Sequence, residues 1–134
     1  MRTMKTSDLT SVALAWGVAK SEGLEVDLSR GGLVVFDADA HPKLRNEYND
    51  HRWQVYHPEF DWAQGGKIIE REKIGVVPNP ENASVWIGSV NEPDGGWRFN
   101  RTGETPLIAA MRCYVASKLG DEVEIPEEIG RAHV

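Results

Sequence analysis

Several features that mark particular protein classes are missing from this sequence of 134 residues. Its single cysteine, Cys113, cannot form an intramolecular disulfide. No apolar run approaches the length of a membrane span or of a signal-peptide core, so we expect a soluble protein. Lys and Arg number 15 against 21 Asp and Glu, and they form no basic run that could neutralise the phosphates of a duplex. A disulfide scaffold, a membrane protein and a duplex-DNA-binding protein are therefore disfavoured.

Recognisable catalytic and metal-binding motifs are missing as well. No G-x-S-x-G nucleophile elbow occurs, and Cys113 lies inside a helical apolar pattern, which favours a buried thiol. Four potential metal ligands fall close together at spacings that fit no zinc site: His51, His57, Glu59 and Asp61. Solvated loop histidines are the simpler interpretation. We therefore expect no metal, no cofactor and no enzymatic activity.

The composition is that of one globular domain. Hydrophobic residues make up 40% of the chain and charged residues 27%, which is ordinary for a folded protein. A chain of this length buries about two thirds of its unfolded surface, enough for a core without disulfides or metal. Five Trp residues are many for this length, and Trp is favoured in cores and in ligand pockets alike. We predict a single domain over residues 1–134, with a partly frayed acidic tail at 121–134.

Helices are predicted near both ends of the chain. Ser7 is a good N-cap and Gly23 a good C-terminal stop, which together predict a helix over residues 8–22. The clearest element is an amphipathic helix over residues 105–119. Thr105 is its N-cap, proline occupies its first turn, and Gly120 ends it.

Alternating apolar residues predict strands between these helices. The predicted strands cover 24–28, 33–36, 52–56, 74–77, 85–90 and 97–100. The first two and the last two should form hairpins, residues 37–50 a long loop, and residues 67–72 about two helical turns. The fold class is therefore α+β, with a small antiparallel sheet of about five strands packed against N-terminal and C-terminal amphipathic helices.

Two places have the composition of an anion-binding helix start, where unpaired N–H groups and the helix dipole meet a ligand. Gly65 and Gly66 precede the predicted short helix, with Lys67 and Arg71 close by. A second group leads into the final helix or lies within it: Arg98, Arg101, Gly103, Thr105 and Arg112. Trp62 and Trp97 lie beside the two places, and an aromatic face with Arg is the usual pairing for a nucleotide. A turn followed by an N-cap, with no ligand, is the alternative at each place.

Three sequence blocks also point to a family. They are residues 4–10 with 13–20 (MKTSDLT and ALAWGVAK), residues 56–58 with 61–66 and 68–72 (YHP, DWAQGG and IIERE), and residues 105–118 (TPLIAAMRCYVASK). In this order they resemble the opening, the central signature and the closing helix of the NinX-like family of small phage proteins. The resemblance covers roughly half of the chain. It implies a phage or prophage protein in the cytoplasm of the infected bacterium, without implying a reaction.

The resemblance also marks signature positions, several of which are polar or glycine: Asp61, Trp62, Gln64, Gly65, Gly66, Glu70, Thr105 and Arg112. Combined with the two helix starts, these positions give the predicted ligand-binding residues: Asp61, Trp62, Gln64, Gly65, Gly66, Arg71, Trp97, Arg98, Arg101, Thr105 and Arg112. Thr105 and Arg112 are expected to form one edge of a pocket that faces residues 61–66.

The predicted function is that of a non-enzymatic phage accessory protein. It would sequester a host small molecule, possibly a nucleotide immune signal, and so counter antiviral defence. One alternative is an acidic inhibitor that engages a basic host protein. Another is a hydrolase of the same nucleotides. A homo-oligomer is expected, because ligand-capturing proteins of this size often place their sites between subunits.

Overall fold

Three small antiparallel sheets carry the strands of this computed structural model, which describes residues 1–28, 32–36, 53–91 and 97–132. The first sheet pairs β1 (Arg2–Lys5) with β8 (Glu122–Ile125). The second has the order β2 (Val26–Asp27), β3 (Val34–Phe36) and β4 (Trp53–Val55). The third has the order β5 (Gly75–Asn79), β6 (Asn82–Asn91) and β7 (Trp97–Gly103). The predicted α+β class is confirmed, whereas the single sheet of about five strands is replaced by these three.

Four α-helices lie among the described residues: α1 (Ser11–Glu22), α2 (Trp62–Glu72), α3 (Pro106–Leu119) and α4 (Glu127–Ala132). α1 and α3 contact each other and form the centre of the core together with residues from the neighbouring strands. None of these helices is both long enough and apolar enough to cross a membrane.

The start of α1 differs from the prediction, whereas its end agrees with it. Thr6–Asp8 forms a separate 3-10 turn, and the helix begins only at Ser11, so Ser7 is not its N-cap. The 3-10 turn is held by two long-range hydrogen bonds. The backbone N–H and the hydroxyl of buried Thr6 both donate to the carbonyl of Asp121, at 2.8 and 3.1 Å. At the other end Gly23 adopts φ 72°, a left-handed conformation that glycine reaches without strain.

α3 begins and ends as predicted. The hydroxyl of Thr105 accepts a hydrogen bond from the backbone N–H of Ile108 at 3.1 Å, and Gly120 follows the last turn. Two glycines bring the helix directly onto the third sheet. A Cβ at Gly88 would lie 2.6 Å from the carbonyl oxygen of Ala109, and one at Gly103 would lie 2.5 Å from its nitrogen. This close approach explains why most of α3 is buried.

The C-terminal segment contains regular structure up to residue 132. β8 pairs with β1, so that Val123 lies opposite Met4, and α4 follows. Val123, Ile125 and Ile129 are all buried and form part of the core, as expected for apolar anchors. This acidic segment packs onto the core because every second residue of β8 is buried.

The two predicted hairpins are confirmed by antiparallel pairing of β2 with β3 and of β6 with β7. The loop predicted at 37–50 lies outside the described residues, as do His51, Arg52 and most of the turns predicted at 29–32 and 91–96. α2 lies beside the second sheet.

Candidate functional site

α2 begins at Trp62, five residues before the short helix predicted at Lys67. Asp61 is its N-cap, and the Asp61 carboxylate accepts a hydrogen bond from the backbone N–H of Ala63 at 2.9 Å. Gly65 and Gly66 therefore lie inside the helix, and the prediction that they form a turn before it is wrong. Glycine costs about 1 kcal/mol in a helix interior, and here the cap and the packing outweigh that cost.

Gly65 is required by packing. A Cβ at this position would lie 2.2 Å from the carbonyl oxygen of Pro58 and 2.7 Å from the Leu107 side chain. The glycine thus lets α2 contact both the preceding loop and the start of α3. At Gly66 the nearest atom would be 3.7 Å away, on the Trp62 ring, which is ordinary contact.

A cavity of about 460 Å³ lies between α2 and the β2–β4 sheet. This volume is within the range of small-molecule sites. Its lining combines apolar or aromatic residues with polar ones: Leu24, Val35, Phe36, Tyr56, Ala63 and Ile68, with Glu22, Gln54, Gln64, Lys67 and Arg71. Gln64, Lys67 and Arg71 are spaced by three and four residues, so one face of α2 carries all three. We consider this cavity the candidate site.

Gln64 supports the wall of the cavity. Its side-chain amide donates to the carbonyl of Val55 at 2.7 Å and accepts from the backbone N–H of His57 at 2.6 Å. These two backbone groups lie at the outer edge of β4, so the Gln64 amide occupies the place of a neighbouring strand. Gln64 therefore fixes the position of the intervening Tyr56.

Arg71 lines the cavity and takes part in a network of charged side chains. Its two terminal nitrogens donate to the carboxylate of Glu22 at 2.9 and 2.6 Å, and its Nε donates to Glu72 at 2.8 Å. One terminal nitrogen also lies 3.2 Å from the hydroxyl of Tyr114, which donates to Glu22. Lys118 lies 3.5 Å from the other oxygen of Glu72.

The pKa of Glu22 is lowered by its partners in this network. Burial on its own would raise the Glu22 pKa, but hydrogen bonds from Arg71 and Tyr114 and the charge of Arg71 together lower it. The pKa of Glu72 is lowered mainly by its hydrogen bond from Arg71. Glu22 is therefore a carboxylate whose oxygens are already engaged, which leaves it poorly suited to act as a base.

Two polar groups in the lining have no such partners. Lys67 is exposed and forms no ion pair or hydrogen bond with any residue that the structure describes. Tyr56 is only 7% exposed, and its hydroxyl forms no hydrogen bond within the described part of the chain. Burial raises the Tyr56 pKa, so the hydroxyl stays protonated and can donate a hydrogen bond. A ligand in the cavity would meet both groups.

Most other predicted site residues lie elsewhere. Trp62 is 58% exposed and does not line the cavity. Arg101 pairs with Asp121 at 2.6 Å and lines a different cavity. The side chains of Trp97 and Arg98 lie outside the described residues.

Thr105 and Arg112, at the N-terminal end of α3 and inside it, do not line the cavity. Thr105 is engaged as the N-cap. Arg112 is half-buried and donates to the carbonyls of Leu9 and Thr102, at 2.8 and 2.9 Å, and burial lowers its pKa. Leu107 is the α3 residue that reaches Gly65. Arg112 thus ties the segment before α1 to β7.

Of the predicted ligand residues, Gln64 and Arg71 line the cavity. The cavity is completed by residues that the sequence does not single out, above all Phe36 and Tyr56. The sequence indicates Lys67 only as a neighbour of the two glycines. The spacing of Gln64, Lys67 and Arg71 was a usable signal, but only once the helix is taken to start at Trp62.

A pair formed by partly buried His57 and buried Glu59 precedes α2. His57 Nδ1 lies 3.3 Å from Glu59 Oε2, and the His57 ring stacks on Phe60 with centroids 4.7 Å apart. Glu59 is buried, its other oxygen has no partner among the described residues, and burial raises its pKa. No group of three potential metal ligands occurs in the described ranges.

Cys113 is fully buried in α3, as predicted, and burial raises its pKa to about 12. A thiol with this pKa is almost wholly protonated at neutral pH. It therefore lacks the thiolate that nucleophilic catalysis requires.

Comparison with known proteins gives one family. No curated protein matches the chain. The sequence model of the family described as bacteriophage P22, NinX matches residues 5–118, from β1 through nearly all of α3. The matched region includes α2 and every lining residue of the cavity. The chain therefore belongs to the NinX family of bacteriophage P22.

Proposed function

We propose that the protein is a non-enzymatic binding module that captures a nucleotide in the cavity between α2 and the β2–β4 sheet. The observation that carries this proposal is the pairing of Lys67 and the Tyr56 hydroxyl, both without partners among the described residues, with an apolar wall. A nucleotide has the matching parts, a flat base and an anionic phosphate.

The apolar wall suits the base. Phe36 and Tyr56 contribute aromatic rings, and Leu24, Val35 and Ile68 contribute aliphatic surface. Ligand sites of this size are mostly apolar, with a few polar groups that fix orientation. The ammonium of Lys67 would bind the phosphate through a charge-assisted hydrogen bond. The Tyr56 hydroxyl would donate a second hydrogen bond.

Capture, rather than hydrolysis, agrees with the state of the acidic groups. Among the described lining residues Glu22 is the sole carboxylate, and Arg71 and Tyr114 occupy it. Hydrolysis would need a carboxylate or a similar base that can accept a proton from water. The family match makes this a phage protein, so its ligand would be a molecule that the infected bacterium contains. We propose a nucleotide signal of antiviral defence, whose sequestration would protect the phage.

Isothermal titration calorimetry of the full chain against cyclic, linear and ADP-ribose-type nucleotides tests this proposal. We expect at least one nucleotide to bind, and Lys67→Met to weaken its binding roughly ten- to hundredfold, since a charged hydrogen bond contributes about 1.5–3 kcal/mol. Lys73→Met is the matched control, because Lys73 is an exposed lysine at the end of the same helix, outside the cavity. Its affinity should stay within about twofold of the wild type.

Three results would end or redirect the proposal. No heat with any nucleotide, from a folded sample, would end it. A host protein captured at low salt and released at high salt would then support the acidic inhibitor. Nucleotide recovered in hydrolysed form after denaturing the complex would instead indicate the hydrolase.

A further inference from the structure

The charges around the candidate cavity nearly cancel. Its described lining holds three charged side chains, Glu22, Lys67 and Arg71. One carboxylate against two cations leaves a formal charge of +1. Behind this lining Glu72 and Lys118 form a further opposite pair, and the Glu59 carboxylate, which lies beside His57, also acts on Tyr56. The charged side chains of the described lining itself are therefore matched by a single negative charge.

Most donors of the second cation, Arg71, are already engaged, although its side chain is half-exposed. Both terminal nitrogens of Arg71 donate to Glu22, its Nε donates to Glu72, and Tyr114 lies against one terminal nitrogen. A phosphate that took these donors would leave two carboxylates without their cation in a partly buried place. Separating the pair is unfavourable, because the side chains of Glu22 and Glu72 are mostly shielded from solvent and would lose their counter-charge. Lys67 is thus the cation of the described lining whose charge is not already paired with a carboxylate.

We infer that the captured nucleotide carries one negative charge, as a phosphodiester such as a cyclic mononucleotide does, and that Glu22 excludes more highly charged nucleotides. This inference rests on the proposed function. A phosphomonoester carries a charge of about −1.5 to −2 near neutral pH, and a triphosphate carries more. The extra charge would face the Glu22 carboxylate with no further unpaired cation among the described lining residues, and like charges in such a place reduce affinity.

The experiment compares affinities within one base series. Calorimetry of the full chain, at fixed ionic strength and neutral pH, would use 3′,5′-cyclic AMP, AMP and ATP, and the same three forms with guanine. In the series that binds, we expect the cyclic nucleotide to bind at least about tenfold more tightly than the triphosphate. Lys67→Met should weaken cyclic nucleotide binding roughly ten- to hundredfold, and Lys73→Met should not change it.

Variants at the carboxylates test the cause of the selectivity. Glu22→Gln keeps the shape of the side chain but removes its charge, which releases Arg71. We expect it to improve the affinity for the triphosphate relative to the cyclic nucleotide by about tenfold. Glu72→Gln removes the second carboxylate on Arg71 from outside the lining and should shift the ratio in the same direction. Circular dichroism would establish that each variant is folded, and Glu72→Gln serves if Glu22→Gln does not fold.

The outcomes separate this inference from the proposed function. A triphosphate that binds the wild type more tightly than the cyclic nucleotide would overturn the inference while supporting nucleotide capture. An unchanged ratio in the folded carboxylate variants would also overturn it. If no nucleotide in either series binds, the cyclic nucleotide class is wrong, and failure of the wider nucleotide panel as well would end the proposed function.

Discussion

Replacing Gly65 by alanine should destabilise the protein even though alanine is the better helix former. The substitution adds a Cβ that would lie 2.2 Å from the Pro58 carbonyl oxygen and 2.7 Å from Leu107. Relief requires α2 to move by about 1 Å from the loop and from α3, and such overpacking costs about 1–3 kcal/mol. Because the Pro58 contact is with backbone, we take the upper end, about 3 kcal/mol. The gain in helix propensity of about 1 kcal/mol leaves a net loss of about 2 kcal/mol.

Gly66 supplies the matched control in the same helix. A Cβ there would meet its nearest atom at 3.7 Å, so Gly66→Ala adds no clash. We expect this variant to be more stable than the wild type by about 0.5–1 kcal/mol, the propensity difference between the two residues. Urea denaturation followed by circular dichroism measures both variants, and the two shifts should have opposite signs.

The reasoning would be refuted if both variants lost stability to the same extent. That result would indicate that the two glycines form a turn whose backbone alanine cannot adopt, as the sequence alone suggests. A stable Gly65→Ala variant would equally contradict the close contact of α2 with Pro58.

Three other predictions follow from single contacts. Gln64→Leu removes both hydrogen bonds to the edge of β4 and should cost about 1–3 kcal/mol in urea denaturation; an unchanged midpoint would show that Val55 and His57 do not need them. Burial raises the pKa of Glu59, so its proton is held more tightly in the folded state, and its charge lowers stability as pH rises through the folded-state pKa. Glu59→Gln should therefore stabilise the protein near pH 8 and change little near pH 4, and a loss at the higher pH would contradict this. Cys113, with its pKa raised to about 12 by burial, should resist a thiol reagent near pH 8 until the protein is unfolded, whereas rapid labelling of the native state would place it at the surface.

Local signals predicted the elements whose limits depend on local chemistry. α3 agrees with the prediction because Thr105, a proline and Gly120 act on their own helix ends. Gly23 ends α1 for the same reason. The pairing of the two hairpins follows from strands that are close in sequence.

Errors arose where distant contacts decide the structure. The start of α1 depends on Thr6 and Asp121, which are 115 residues apart. The sequence does not predict β8 because the partner of this strand, β1, lies at the other end of the chain. The predicted helix is shorter than α2 because Gly65 and Gly66 disfavour a helix. The close contacts with Pro58 and Leu107 nevertheless require glycine at position 65.

The candidate site shows the same division. The helix spacing of Gln64, Lys67 and Arg71 is present in the sequence. Their separate roles are not, because Gln64 is engaged by the edge of β4 and Arg71 by Glu22, which is 49 residues away. Lys67 stands out only after these partners are known. The charge that a ligand would meet therefore had to come from the three-dimensional structure.

The measurement that tests the account most directly is a crystal structure of the protein with a nucleotide that calorimetry shows to bind. We predict that the base packs against Phe36 and Tyr56. A phosphate oxygen should lie within hydrogen-bond distance of Lys67 Nζ, and the Arg71–Glu22 pair should stay intact. A nucleotide seated instead beside Arg101, or a phosphate bound by Arg71 with Glu22 displaced, would contradict it.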